Sequence, residues 1–300
     1  MIDFVKILYK DKSEFEPYVN DPDNFPELIQ VLERHSGEIR YPHKTNLETM
    51  DVVIAQKYGY IKNSLHKLYN YLVYRENANY NDFTYSNLCE SIEYLGMNLP
   101  DIAFTGITQL EFGFNICVSK PAEQIIRENV LMHKYKNYNH NKQYDGKGEL
   151  KRFDHSNYLV KIYDKAKQYS KEFDIHHNIL RFEIRHTRRR DLNDLGVFNL
   201  NDLRNKDNLQ RLFENAIMRF DKMQIIDSIL EESIEPEDFQ KLIRFKNPEY
   251  WQEEIKEKSG TFKMRRRNEF NALIEKYSLN STKNELRRLL IEKFNHLINN

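Results

Sequence analysis

Between Asn157 and Gly196 the chain alternates apolar and polar residues twice, and both runs read as half-buried strands. In the first, Leu159, Lys161, Tyr163 and Lys165 share one face, and Tyr158, Val160 and Ile162 the other. In the second, Leu180, Phe182 and Ile184 lie opposite Arg181, Glu183 and Arg185. A third alternation sets Leu110, Phe112, Phe114 and Ile116 against Gln109, Glu111, Gly113 and Asn115. Strand side chains repeat every second residue, so each run lays a polar row over an apolar one.

The remaining pattern fills in around these runs. Residues 2–9 predict a strand, 51–62 a strand pair broken at Gly59, and 149–165 a hairpin with a polar turn. Pro26 opens a predicted helix through His35, and Pro121 another through Tyr135. Thr84 or Ser86 caps a helix carrying Leu88, Ile92 and Leu95, which Gly96 stops. Residues 136–149 read as an exposed loop. After Gly196 no strand is predicted. Helices are expected within 201–231, then a linker around Pro236, then helices at about 249–258, 266–277 and 283–298. The order predicts an α+β fold, an antiparallel or mixed sheet with helices packed on one face, followed by a helical C-terminal region. The expected division is a sheet domain over 1–225 and a helical region over 226–300, serving DNA binding, dimerisation or capping. The polar strand faces are expected to form an open surface or the floor under another element.

Composition narrows the class. The 300 residues are 31% charged and 40% hydrophobic, as in a soluble globular protein. No apolar run reaches the ~18 residues of a membrane span. The start lacks the layout of a signal peptide, and Cys89 and Cys117 have no paired spacing, so a cytoplasmic location is expected. The formal net charge is zero, but its distribution is uneven. From His133 to Arg190 there are 15 Lys and Arg against 7 Asp and Glu; from Asp227 to Lys258 there are 5 against 10. The basic excess surrounds the alternating runs, where a polyanion would lie.

The polar rows carry the candidate chemistry. If their strands are neighbours, Glu111 and Glu183 could bind a hard divalent cation. They could equally be strand glutamates paired with Lys161, Arg181 or Arg185. Tyr163 stands between Lys161 and Lys165, which would favour its phenolate, although a chain with 19 tyrosines uses most of them for packing. Arg188, Arg189 and Arg190, with Lys263, Arg265, Arg266 and Arg267, are phosphate-contact candidates, as are Arg181 and Arg185. Tyr250 and Trp251 read as core. No phosphate-binding loop, dinucleotide fingerprint or nucleophile-elbow motif is present.

These segments, in order, are MIDFVKI, YGYIKNSLHKLYN, ITQLEFGFNI, YLVKIYDK and LRFEIRHTRRRDLNDLG. Over residues 1 to 225 they resemble the strand-nicking replication initiators of filamentous phages and related plasmids, the gene-two-product type. The resemblance implies a nuclease domain like the HUH endonucleases. It places Tyr163 on the nucleophile of a YDK-like motif, Lys165 on its lysine and Glu183 on the glutamate of RFE. Glu111 falls where that branch favours Asp, and Gln109 where it favours Arg. The implied substrate is origin DNA, nicked on one strand, and the implied partners are a host helicase and DNA polymerase, with no membrane.

Combined, the expectation is a rolling-circle initiator. Glu111 and Glu183 hold Mg²⁺ or Mn²⁺, Tyr163 attacks the phosphodiester, and Lys165 and Lys161 stabilise the developing charge. A plasmid mobilisation relaxase would share this chemistry. A non-catalytic DNA-binding repressor would bind without metal or covalent intermediate. An RNA-binding sheet would need exposed aromatics, whereas Phe112, Phe114 and Phe182 fall on the apolar side.

Overall fold

The fold is that of a computed structural model describing residues 1–141 and 148–300. The elements up to the middle of the chain are β1 (Ile2–Tyr9), α1 (Phe15–Asn20), β2 (Ile29–Leu32), β3 (Ile39–Leu47), β4 (Met50–Ile54), β5 (Gly59–Ser64), α2 (Leu65–Tyr74), α3 (Tyr85–Asn98) and β6 (Ile107–Cys117). Then come α4 (Ala122–Gln124), running into a π-helical turn, β7 (Val130–His133), β8 (Leu150–Asp154), β9 (Tyr158–Asp164), α5 (Lys165–Tyr169) and β10 (Ile179–His186). The chain ends with α6 (Arg189–Asn193), α7 (Lys206–Phe220), β11 (Met223–Ile225), α8 (Pro236–Lys246), α9 (Gly260–Lys276) and α10 (Ser281–Ile298).

Nine strands form one sheet in the order β2-β3-β4-β5-β1-β6-β10-β9-β8, and every neighbouring pair is antiparallel. The protein is thus α+β with an antiparallel sheet. The three alternating runs lie side by side as β6, β10 and β9, with Glu183 opposite both Gly113 and Lys161. Their apolar rows face helices. Phe114 meets Phe213 of α7 and Phe294 of α10 edge-on, Phe182 meets Phe220, and Phe213 stacks on Phe294 at 4.0 Å. α10 therefore belongs to the sheet's core, through Leu286, Leu290, Phe294 and Leu297. A second core gathers Leu242, Phe245, Tyr250, Trp251, Phe270 and Leu273 from α8, α9 and the turn between them.

Four local expectations are corrected. Residues 26–35 are not helical. Ile29, Val31 and Leu32 lie exposed on β2, paired with β3, a partner whose long strand the periodicity did not reveal. The helix opened by Pro121 stops at Asn129, because Val130–His133 pairs with Met223–Ile225 instead. That pairing also supplies a strand after Gly196, three residues long and too short for any period to show. Pro236 begins a helix rather than marking a linker: it sits in the first turn of α8 with Glu237 and Asp238, which suit a helix N-terminus. Of the loop expected over 136–149, positions 142–147 lie outside the described residues.

Because Phe294 fills the junction between the sheet and α7, Phe294→Ala is expected to lower global stability by ~3–5 kcal/mol. Urea unfolding followed by circular dichroism measures it. A loss confined to α10, with the sheet's midpoint unmoved, would show that the last helix is not part of that core.

Candidate functional site: a buried carboxylate network

The polar rows of β9, β10 and β6 meet on the face opposite the aromatic core. Glu183 is their centre, 2% exposed. Its Oε1 accepts from Lys161 Nζ at 2.6 Å, and its Oε2 accepts from Arg181 Nε at 2.5 Å and from the Tyr163 hydroxyl at 3.3 Å. Lys161 Nζ also donates to Glu111 Oε1 at 2.8 Å. Arg185 reaches Glu111 at 3.5 Å and Gln109 Oε1 at 2.8 Å, and its guanidinium lies 4.1 Å over the Phe4 ring. Gly113 makes the crowding possible. A Cβ there would stand 2.4 Å from the Glu183 Cβ, so only glycine leaves this position open to its strand neighbour.

A third acid joins them. Asp3 Oδ2 accepts from Arg181 Nη2 at 2.8 Å and from Asn79 Nδ2 at 2.7 Å, and its Oδ1 accepts from the Ser64 hydroxyl. Asp3, Glu111 and Glu183 each offer an oxygen, all within 4.8 Å of one another. Plain alternation along β1 would put Asp3 with Val5 and Ile7, on the core side. The pairing of β1 with β6 is irregular between Ile2 and Val5, and this shift lets Asp3 reach the acid face. No sequence period carries that signal.

The network has a roof. Asn79, from the segment linking α2 and α3, accepts from Lys165 Nζ at 2.7 Å and from the Tyr169 hydroxyl at 2.6 Å. Asn115 ties it down by donating to the carbonyls of Asn79 and Tyr80 and accepting from Arg181 Nη1. The polar face is thus the floor under another segment. Tyr163 is 4% exposed, and the more accessible rim is Lys161, Arg185 and Gln109.

Burial and neighbouring charge compete over each ionisable group. Burial pushes Glu183 up, but Lys161 and Arg181 outweigh it and hold the carboxyl at about 2. Burial also pushes Asp3 up, and Arg181 and Lys165 overcome it, so this carboxyl stays well below its usual range. Glu111 goes the other way: burial, then the charge of Glu183, raise it, and Lys161 offsets only part. Burial, then the nearby Arg181, lower the Lys165 ammonium well below its ordinary value.

Of the residues named from sequence, Tyr163, Lys161, Glu111, Glu183, Arg181 and Arg185 form one connected cluster. Arg181 is buried within it rather than presented to solvent, its nitrogens engaged by Asp3, Asn115 and Glu183. Lys165 sits 5.4 Å from the Tyr163 ring centre and bonds Asn79 and Gln168. Arg188, Arg189 and Arg190 are exposed at the start of α6. Arg266 pairs with Glu269, Lys263 and Arg267 border hollows beside α9, and Arg265 is exposed elsewhere on that helix. Asp3 and Asn79 are the members that sequence reasoning missed, while Asn115 stood in the polar row with no role assigned.

The three acids suit a hard divalent ion: the donors are all oxygen, and their oxygens lie within 4.8 Å of one another. The ion pairs expected of Glu111 and Glu183 are present, with Lys161 bridging one oxygen of each, although both glutamates are buried rather than exposed.

The chain matches no family model and no curated protein sequence. Among solved structures it is similar to a rolling circle replication initiator protein from Geobacillus stearothermophilus, at 14% identity and a TM-score of 0.34, over 67% of this chain and 78% of that one. A likeness that slight carries no chemistry, which rests on the site itself.

Glu183→Gln leaves Lys161 and Arg181 short of a buried counter-charge, and a loss of ~3–5 kcal/mol at pH 7 is expected. Glu183 is held at about 2 when folded, against an ordinary value of 4.5, so its contribution is full above pH 4.5 and fades as pH falls toward 2. The stability gap between wild type and variant should narrow over that window. Denaturant titrations at stepped pH measure it, and a gap independent of pH would show that the Glu183 charge is not what stabilises the fold.

Proposed function

We propose that the chain nicks and rejoins DNA through Tyr163, as a rolling-circle replication initiator does. The observation that supports it is the convergence of Tyr163, three carboxylates and two cations on one sheet face. In the step proposed, the Tyr163 oxygen attacks the phosphorus and the bond to the 3′ oxygen breaks. The phenol proton ends on that oxygen, leaving a 5′-phosphotyrosine and a 3′-hydroxyl. Reversal by the 3′-hydroxyl of another strand end rejoins DNA without ATP.

The residues divide the work. Arg181, kept protonated against its burial by the charges of Tyr163, Asp3 and Glu183, stabilises the phenolate. Lys161 lies at the rim and meets the phosphate's developing negative charge. Asp3, Glu111 and Glu183 would hold Mg²⁺ or Mn²⁺, which supplies Lewis-acid polarisation of a phosphate oxygen when bound. Asn79 and Asn115 keep Asp3 and Arg181 in place. The free 3′-hydroxyl is a primer for a host polymerase, with a helicase opening the duplex ahead of it.

One observation favours a second reading. Tyr163 is nearly enclosed, as in a structural ion cluster of a DNA-binding protein without catalysis. The two separate in a nicking assay on supercoiled origin DNA with Mg²⁺ or Mn²⁺. Tyr163→Phe is expected to cut the nicking rate by ~10⁴-fold or more and to abolish the covalent adduct. Chelation of the metal should stop wild-type nicking. Nicking that persists in Tyr163→Phe, or a wild type that never forms an adduct, sinks the proposal.

A further inference from the structure

We propose a second DNA-contacting site, a cradle for duplex phosphates formed by the turn after β7 and the face of α9 beside it. It rests on the reading that the chain acts on DNA. Two hollows, of about 720 and 460 Å³, share Lys134, Tyr135, Lys136 and Arg267. The first adds Lys222 and Lys283 and the second Lys256 and Lys263, so seven basic side chains line them against four acids among the described residues. Two of those acids are already occupied: Asp221 by Arg287, and Asp154 by Arg152. The cradle is therefore strongly positive in a chain whose net charge is zero.

The basic groups are held, not merely present. His133 and Lys136 exchange backbone hydrogen bonds across a two-residue turn, with Lys134 at φ 53° and Tyr135 at φ 60°. That left-handed pair is where Asn-Gly is preferred, so a lysine and a tyrosine there cost stability. The conformation is tied down from outside: the Lys134 amide donates to the Lys222 carbonyl, and the Tyr135 amide to Gln224 Oε1. Arg267 lies 4.8 Å over the Tyr135 ring, and Lys134 lies 5.2 Å over Tyr158.

The lining also selects the form of DNA. Single strands are gripped by stacking bases on open aromatic faces. Here Tyr135 is covered by Arg267 and packs 4.5 Å from Trp251, which is itself core. What remains is charge, which reads the backbone of a duplex. Tyr158, which Lys134 overlies, is five residues from Tyr163 on β9, ~17 Å along the strand. An odd spacing puts the two on opposite faces of the sheet, so the cradle takes a stretch of duplex separate from the one at Tyr163.

The test measures binding of a mixed-sequence duplex by the full chain carrying Tyr163→Phe, so that no cleavage intervenes. In that background Lys134→Gln with Lys136→Gln should weaken binding. The slope of log affinity against log salt should fall by about 2, one for each lysine. Lys57→Gln, exposed in the turn between β4 and β5 and outside both hollows, should leave affinity and slope near the parent's. A double variant with the parent's thermal midpoint but an unchanged slope overturns the cradle. So does an equal drop with Lys57→Gln, or a parent that binds no duplex. A chain that binds as expected but whose wild type forms no adduct supports the cradle while sinking the nicking reading.

Discussion

The buried ion network around Glu183 is the constraint on which the rest of the structure turns. Placing a carboxylate, a guanidinium and an ammonium inside a protein costs several kcal/mol for each ion, recovered only if geometry and hydrogen bonding are nearly complete. Completeness here comes from five directions. β9 brings Lys161 and Tyr163, β10 brings Arg181 beside Glu183, and β6 brings Glu111 and the gap at Gly113. β1 brings Asp3, and the segment between α2 and α3 brings Asn79. Removing any one leaves a buried charge short of a partner. An apolar cluster of the same volume would cost less to build.

The sequence disclosed the two faces of this sheet but not its full site. Period-two alternation over 107–116, 158–164 and 180–185 was enough to sort Phe112, Phe114 and Phe182 from Glu111, Tyr163 and Glu183. One face buried among helices makes that sorting strict, because a slip of one residue would bury the charges in the aromatic core. Asp3 escaped because an irregular pairing moves it across the alternation. Asn79 escaped because a loop has no period, and asparagines in a segment reading NANYND look like turn residues until the hydrogen bonds are seen. The exposed β2 escaped for a related reason. Ile29, Val31 and Leu32 mimic a short amphipathic helix, and only the distant β3 makes them a strand.

The C-terminal residues show a different limit. Helical period located α10 closely and the end of α9, though not the six residues that open it, but nothing local said that α10 returns to the first sheet while α9 joins a separate core. Destination is decided by which apolar stripe finds a complementary surface. Phe294 stacks flat on Phe213 and meets Phe114 edge-on. Phe270 instead packs among Phe245 and Trp251. The basic run 263–267 is divided by the same packing. Residues four apart share a helix face, so Lys263 and Arg267 border one hollow, while Arg265 points elsewhere.

β9 links the carboxylate network to that basic hollow. Its middle carries Lys161 and Tyr163 into the acids on one face, while its first residue, Tyr158, lies under Lys134 and Arg219 on the other. A strand paired on both sides, to β8 and β10, cannot stretch or turn without breaking both ladders. The separation between phenol and cradle is therefore fixed by the strand's rise per residue. The basic hollow and the carboxylates thus stand on opposite faces of one strand held rigid by its neighbours.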